Sequence, residues 1–132
     1  MQNDTNSRGT NQWFYFSVEE LKQNQEYVFN IVNFCKNDSL FNYGMMPVVY
    51  STMAKQKMGI DWVRKGKDVS YYKCELQREG SSRYYYKLSF TLSTKFQKDK
   101  LYIAHSYPYT FSKLNDFINH TVSCNKDLVT KV

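Results

Sequence analysis

Tyr84-Tyr85-Tyr86-Lys87-Leu88-Ser89-Phe90-Thr91-Leu92-Ser93 decides the fold of this 132-residue chain. Tyr84, Tyr86, Leu88, Phe90 and Leu92 fall on one face of an extended backbone, and Tyr85, Lys87, Ser89, Thr91 and Ser93 on the other. A period of two with one wet face describes a strand laid over a core rather than a helix. Burying each large member of the apolar stripe contributes about 1.5–3 kcal/mol, opposed by the entropy of ordering the chain.

The flanking segments extend the pattern. Arg78 to Arg83, carrying Glu79-Gly80-Ser81-Ser82, reads as a hairpin loop back to a strand over Val69 to Leu76. On that strand Cys74 shares a face with Tyr72 and Leu76, which points to packing. Gln97-Lys98-Asp99-Lys100 reads as a second hairpin connection, to a last strand over Leu101 to His105. Upstream, Gln12 to Val18 is a strand with Phe14, Phe16 and Val18 on one face and Trp13, Tyr15 and Ser17 on the other. Leu21 to Gln25 is a polar connection, and Glu26 to Phe34 is a second strand. Asn42-Tyr43-Gly44 offers turn chemistry, because glycine accepts positive φ. Pro47 opens a short strand to Thr52, at a position that tolerates a missing amide. Ala54 to Lys57 reads as a polar insert, Ile60 to Arg64 as a short strand around Trp62, and Gly66-Lys67-Asp68 as a turn. After Pro108 the period lengthens: Leu114, Phe117, Ile118 and Thr121 recur at helical spacing, with Thr110 or Ser112 as N-cap. The expected fold is all-β, an antiparallel β-sandwich with one short C-terminal helix. Residues 1–11 read as a disordered polar leader, 12–122 as the sandwich and 123–132 as the start of a linker.

Composition narrows the function. The net charge of +6 suits an acidic partner such as nucleic acid, an anionic surface or an acidic polypeptide. Three scattered cysteines, Cys35, Cys74 and Cys124, form neither a disulfide framework nor a zinc knuckle, and fit thiols in a reducing compartment. The leading residues are polar and no apolar run spans a bilayer, so the cytoplasm is the expected location. A catalytic zinc site takes three protein ligands, and the chain has only His105 and His120 as imidazoles. It lacks His-x-x-Glu, Gly-x-Ser-x-Gly and any phosphate-binding glycine loop. No metal or catalytic residue is assigned. Basic residues interleaved with aromatics, such as Arg78, Arg83 and Lys87 beside Tyr84 and Tyr85, leave single-stranded nucleic acid as a rival ligand. Tyrosines that fill a sheet, with solubilising lysines, remain the simpler account.

Five stretches in order carry a resemblance. They are Gln12-Trp13-Phe14-Tyr15-Phe16, Phe29-Asn30-Ile31-Val32-Asn33, Ser39 to Pro47, Trp62-Val63-Arg64-Lys65-Gly66, and Ala104-His105-Ser106-Tyr107-Pro108-Tyr109-Thr110-Phe111-Ser112. Together they resemble the N-terminal domain of the cytosolic carboxypeptidases, a branch of the M14 zinc metallocarboxypeptidases. The similarity runs from about Gln12 to Phe117. It implies a non-catalytic β-sandwich that packs on a downstream carboxypeptidase domain, supports it and shapes substrate access. The zinc, its ligands and the catalytic groups are implied to belong to that following domain, and none maps onto this chain. The implied substrates are acidic proteins trimmed of glutamates, tubulin tails among them, which implies a cytoplasmic and microtubule- or cilium-associated protein. Trp13, Asn42, Tyr43, Gly44, Pro47, Trp62, Arg64, His105, Tyr107, Pro108 and Tyr109 become the interface or family-motif residues. Trp13, Tyr107 and Tyr109 are expected to form an exposed apolar patch for the second domain. His105 is expected to hydrogen-bond within the fold. Met46 stands where the family often has arginine. A stand-alone module for acidic peptide or single-stranded nucleic acid is the alternative.

Overall fold

The computed structural model describes residues 11–125. Seven strands and two helices follow one another: β1 (Tyr15–Leu21), β2 (Glu26–Phe34), β3 (Val48–Ser51), α1 (Thr52–Met58), β4 (Val63–Arg64), β5 (Lys67–Gln77), β6 (Tyr84–Ser93), β7 (Asp99–Ala104) and α2 (Phe111–Cys124). A 3-10 turn at Leu40–Tyr43 sits between β2 and β3. The strands form a four-stranded sheet, β1-β7-β3-β4, and a three-stranded sheet, β2-β6-β5. Every pairing is antiparallel. The all-β sandwich with a C-terminal helix is therefore the observed fold. The expected leader (1–11) and linker (123–132) lie mostly outside the described residues. Asn11 is buried and donates from Nδ2 to the Asn33 carbonyl, 3.2 Å away.

The core lies between the sheets. On β6, Leu88 and Phe90 are inaccessible and Leu92 nearly so. Register sets Phe90 opposite Phe29, with rings 5.4 Å apart and stacked, and Leu88 opposite both Ile31 and Tyr71. Facing them are Phe14, Val49, Leu101 and Ile103 of the four-stranded sheet.

Several boundaries differ from the sequence expectation, and bulges explain most of them. Leu21 is a buried end of β1 rather than part of a polar connection. Parity would point Glu20 inward after Phe16 and Val18. Glu20 instead takes φ 56° at a register shift, which turns Leu21 into the core. Asn33, at φ 71°, does the same for Phe34. Asp68, at φ 51°, adds a bulge inside β5, which already begins at Lys67 where a turn was expected. The packed residue of β5 is Tyr71; Tyr72 and Leu76 face out, so the Tyr72–Cys74–Leu76 face is not the buried one.

The polar insert is the helix α1. Ser51 caps it by accepting from the Ala54 amide at 2.9 Å, and Gly59, at φ 70°, ends it. The strand expected around Trp62 shrinks to Val63–Arg64. Asp99 is the largest departure from the expected hairpin connection. It is fully buried at the start of β7, where its carboxylate accepts from Ser51 Oγ at 2.7 Å, from Thr94 Oγ1, from Thr52 Oγ1 at 3.4 Å and from the Met53 amide at 3.3 Å.

Candidate docking face and basic groove

On the four-stranded sheet, directly paired residues point to the same side. Tyr15, Ala104, Val48 and Arg64 form one cross-strand row, and Tyr102 and Tyr50 belong to the next. Val48 and Ala104 are fully buried, yet they lie outside the cluster between the sheets. They sit beneath a layer on the outer face, and that layer is aromatic. Trp62 packs on Tyr50 at 5.5 Å and on Tyr15 at 6.0 Å, and Tyr102 touches Tyr50 at 6.0 Å and Tyr15 at 6.2 Å. Ring pairs at these distances and tilts add to what area burial alone supplies.

The segment after β7 borders this layer. His105 leans on Trp13 at 5.8 Å and is met by Phe14 and Phe41 at 5.8 and 5.5 Å. Rings surround the imidazole on these sides, and its backbone amide donates to the Phe14 carbonyl at 3.0 Å. Burial pushes the His105 pKa down, and the nearby charges of Arg64 and Lys36 push it further the same way. Arg64 lies over the Tyr107 ring at 5.7 Å and donates from Nη1 to the Met46 carbonyl at 2.6 Å. A guanidinium therefore does reach the Met46 position, from β4. Trp13, Tyr107 and Tyr109 are 48%, 53% and 66% exposed. Thr110 caps α2. Phe111 and Phe117 on that helix are exposed as well.

The remaining sequence-singled residues hold the scaffold. The Asn42 side-chain oxygen accepts from the Tyr71 amide at 3.2 Å, tying the 3-10 turn to β5. Tyr43 donates to Asp38 at 3.1 Å and is exposed. Gly44 ends the turn at φ 89°, where an L side chain is strained. Pro47 is buried, and its carbonyl accepts from the Lys65 amide at 3.1 Å. Pro108 stands half-buried between Tyr107 and Tyr109. The fold thus links Trp13 to His105, Trp62 to Tyr15 and Tyr50, and Arg64 to Tyr107, and no such ring or cation contact joins Asn42, Tyr43 or Gly44 to them among the described residues. Tyr50 and Tyr102 escaped sequence reasoning as members of this layer, because each is the lone outward ring of its strand until register places it beside Tyr15.

The three-stranded sheet ends differently. Where β2 leaves it and the β5–β6 hairpin turns, an open groove of about 600 Å³ is lined by Lys36, Lys73, Arg78 and Arg83 among others. Among the described residues no three His, Cys, Asp or Glu side chains gather as a metal site. His120 pairs with Cys124 one turn along α2, at 3.7 Å from Nε2 to Sγ, away from His105. These residues do not fit a zinc centre. No described helix is long and apolar enough to cross a membrane.

Fold and geometry define the class: an antiparallel β-sandwich domain with an aromatic layer on the outer face of its four-stranded sheet. No protein-family model matches the chain. Curated proteins do. Cytosolic carboxypeptidase 2 of Danio rerio is 37% identical over 112 residues, which is 85% of this chain and 15% of that protein. Cytosolic carboxypeptidase 1 of Homo sapiens is 38% identical over 120 residues, 86% of this chain and 10% of its own length. Cytosolic carboxypeptidase 3 of Mus musculus is 39% identical over 108 residues, 82% of this chain and 10% of that protein. The chain belongs to the cytosolic carboxypeptidase family, as the N-terminal domain, and spans about a tenth to a seventh of the length of these relatives.

Proposed function

We propose that this chain is the non-catalytic N-terminal domain of a cytoplasmic zinc carboxypeptidase that removes glutamates from protein C-termini or side chains, tubulin tails among them. The outer face of the four-stranded sheet docks the carboxypeptidase domain, which carries the zinc and all catalytic groups. The observation behind this reading is the ring layer of Tyr15, Tyr50, Trp62 and Tyr102, with the exposed Trp13, Tyr107 and Tyr109 in the segments that flank β1 and β7. A contiguous apolar surface of this kind on a small domain marks an interface, and aromatic residues with an arginine among them are favoured at interface cores. Relatives about seven to ten times longer than the aligned part supply a partner in the same polypeptide.

The test is glutamate release. The longer protein that contains this domain, loaded with zinc, is incubated with a tubulin-tail peptide ending in glutamates and with the same peptide ending in alanine or phenylalanine. Mass spectrometry is expected to show stepwise loss of glutamate from the first and no change in the second. Removal of apolar residues instead would overturn the substrate assignment. The 132-residue chain alone is expected to release nothing.

A further inference from the structure

The groove at the hairpin end of the three-stranded sheet carries a charge that the fold leaves unneutralised. Lys36, Lys73, Arg78 and Arg83 line it, and no Asp or Glu does. Among the described residues the ion pairs are Lys55–Asp61, Lys67–Glu26 and Lys100–Glu19, so none of the four groove cations has an acidic partner. Like charges gathered without counter-charge cost stability, and a bound anion would relieve that cost. The groove is also held in shape. Arg78 donates from Nε to the Tyr84 carbonyl at 3.1 Å and from Nη2 to the Cys35 carbonyl, which clips the hairpin to the exit of β2. Those bonds leave other N–H donors of the guanidinium fork for a ligand. Lys73 rests its ammonium 4.3 Å from the centroid of the Tyr84 ring.

We propose that this groove binds a run of carboxylates on an acidic polypeptide. It rests on the reading above only for the source of that polypeptide: a substrate held here at a point away from the residue being cleaved. Guanidinium and ammonium groups pair with carboxylates through charge-assisted hydrogen bonds, and Arg does so in a two-pronged geometry. Single-stranded nucleic acid is the poorer fit. Its binders stack bases on bare aromatic faces, whereas here Lys73 lies over Tyr84 and Arg78 over Tyr85, at 5.5 Å.

The test uses the 132-residue chain and a fluorescein-labelled polyglutamate peptide, read by fluorescence anisotropy. Lys73→Glu with Arg83→Glu removes charge inside the groove. Lys57→Glu with Lys95→Glu removes the same charge beyond the far end of β6. All four residues are exposed, and thermal melting checks that each pair of substitutions leaves the fold intact. The groove pair is expected to weaken binding about tenfold or more, and the distant pair less than about twofold, because charges in contact with the ligand act nearly unscreened while salt screens the distant ones. Lys36→Glu alone should reproduce part of the loss and serves if the double variant melts early. Equal losses from both pairs would reduce the site to diffuse attraction and overturn it. So would undetectable binding at low salt, or an oligonucleotide of matched charge bound as tightly and weakened by the same substitutions. None of these failures touches the carboxypeptidase reading, which stands or falls on glutamate release by the longer protein.

Discussion

The two sheets share one core but finish their outer faces differently. On the four-stranded sheet, rings lie chiefly on rings: Tyr15, Tyr50, Trp62 and Tyr102 form a connected layer, with one cation, Lys100, over Tyr102 at 5.0 Å. On the three-stranded sheet, outward rings lie under cations: Lys87 over Tyr72 at 4.8 Å and Arg78 over Tyr85 at 5.5 Å. A ring capped by an ammonium or guanidinium presents charge to water and is complete as it stands. A ring packed on other rings leaves apolar surface that water covers poorly. Similar residue types therefore build a charged face on one side and a largely apolar face on the other, and the neighbours decide which.

The largest effect should come from the shared core. Phe90→Ala is expected to cost about 3–5 kcal/mol, since it removes a fully buried ring stacked on Phe29. Tyr72→Ala, outward on the same sheet, should stay within about 1 kcal/mol by chemical denaturation. A Tyr72 cost near that of Phe90 would erase the distinction between inner and outer face. Next, Trp62→Ala should cost about 1–3 kcal/mol, more than Tyr72→Ala, because Trp62 is half-buried and bridges Tyr50 and Tyr15. Equal losses at the two positions would mean that ring-on-ring packing stabilises no more than cation-on-ring packing.

Acid should act through the aromatic face. His105 has a depressed pKa in the folded chain, so the unfolded chain binds the proton more readily. The stability this provides is present above the unfolded value of about 6.5 and is lost as pH falls through that value toward the folded one. Melting temperature should fall on acidification through this window, and His105→Phe should flatten the slope. An unchanged slope in the variant would assign the acid sensitivity elsewhere. The smallest effect on the isolated chain belongs to Trp13→Ser with Tyr109→Ser, within about 1 kcal/mol for two exposed side chains. The same pair should weaken association with a separately expressed carboxypeptidase domain by about tenfold or more, measured by calorimetry, as expected for interface aromatics. Intact association would remove those residues from the docking face.

The alternations of β6 and of β2 as far as Ile31 were legible, because nothing in those runs breaks the period of two. The ends of β1 and β2 were not. Glu20 and Asn33 carry left-handed backbone that shifts parity by one residue, and neither residue type announces a bulge. Helix α1 has seven residues and no apolar period, so only its caps, Ser51 and Gly59, could have betrayed it. At the candidate face, Trp13, Trp62, Arg64 and Tyr107 came from the family resemblance, whereas Tyr50 and Tyr102 needed strand register. The groove was half visible. Arg78 and Arg83 stood out beside Tyr84 and Tyr85, but Lys36 follows β2 and lies far away in sequence, and Lys73 joins them only through the pairing of β5 with β6.

Asp99 has a consequence for how the domain can come apart. One carboxylate accepts from the end of β3, the first turn of α1 and the approach to β7. Those segments cannot loosen one at a time without stranding donors in a dry site. Helix α1, too short to persist alone, should therefore exchange its amide hydrogens in step with the sheet it abuts. A surface helix of this length would ordinarily flicker open by itself; here a single side chain makes that corner of the sandwich open as a block or stay shut.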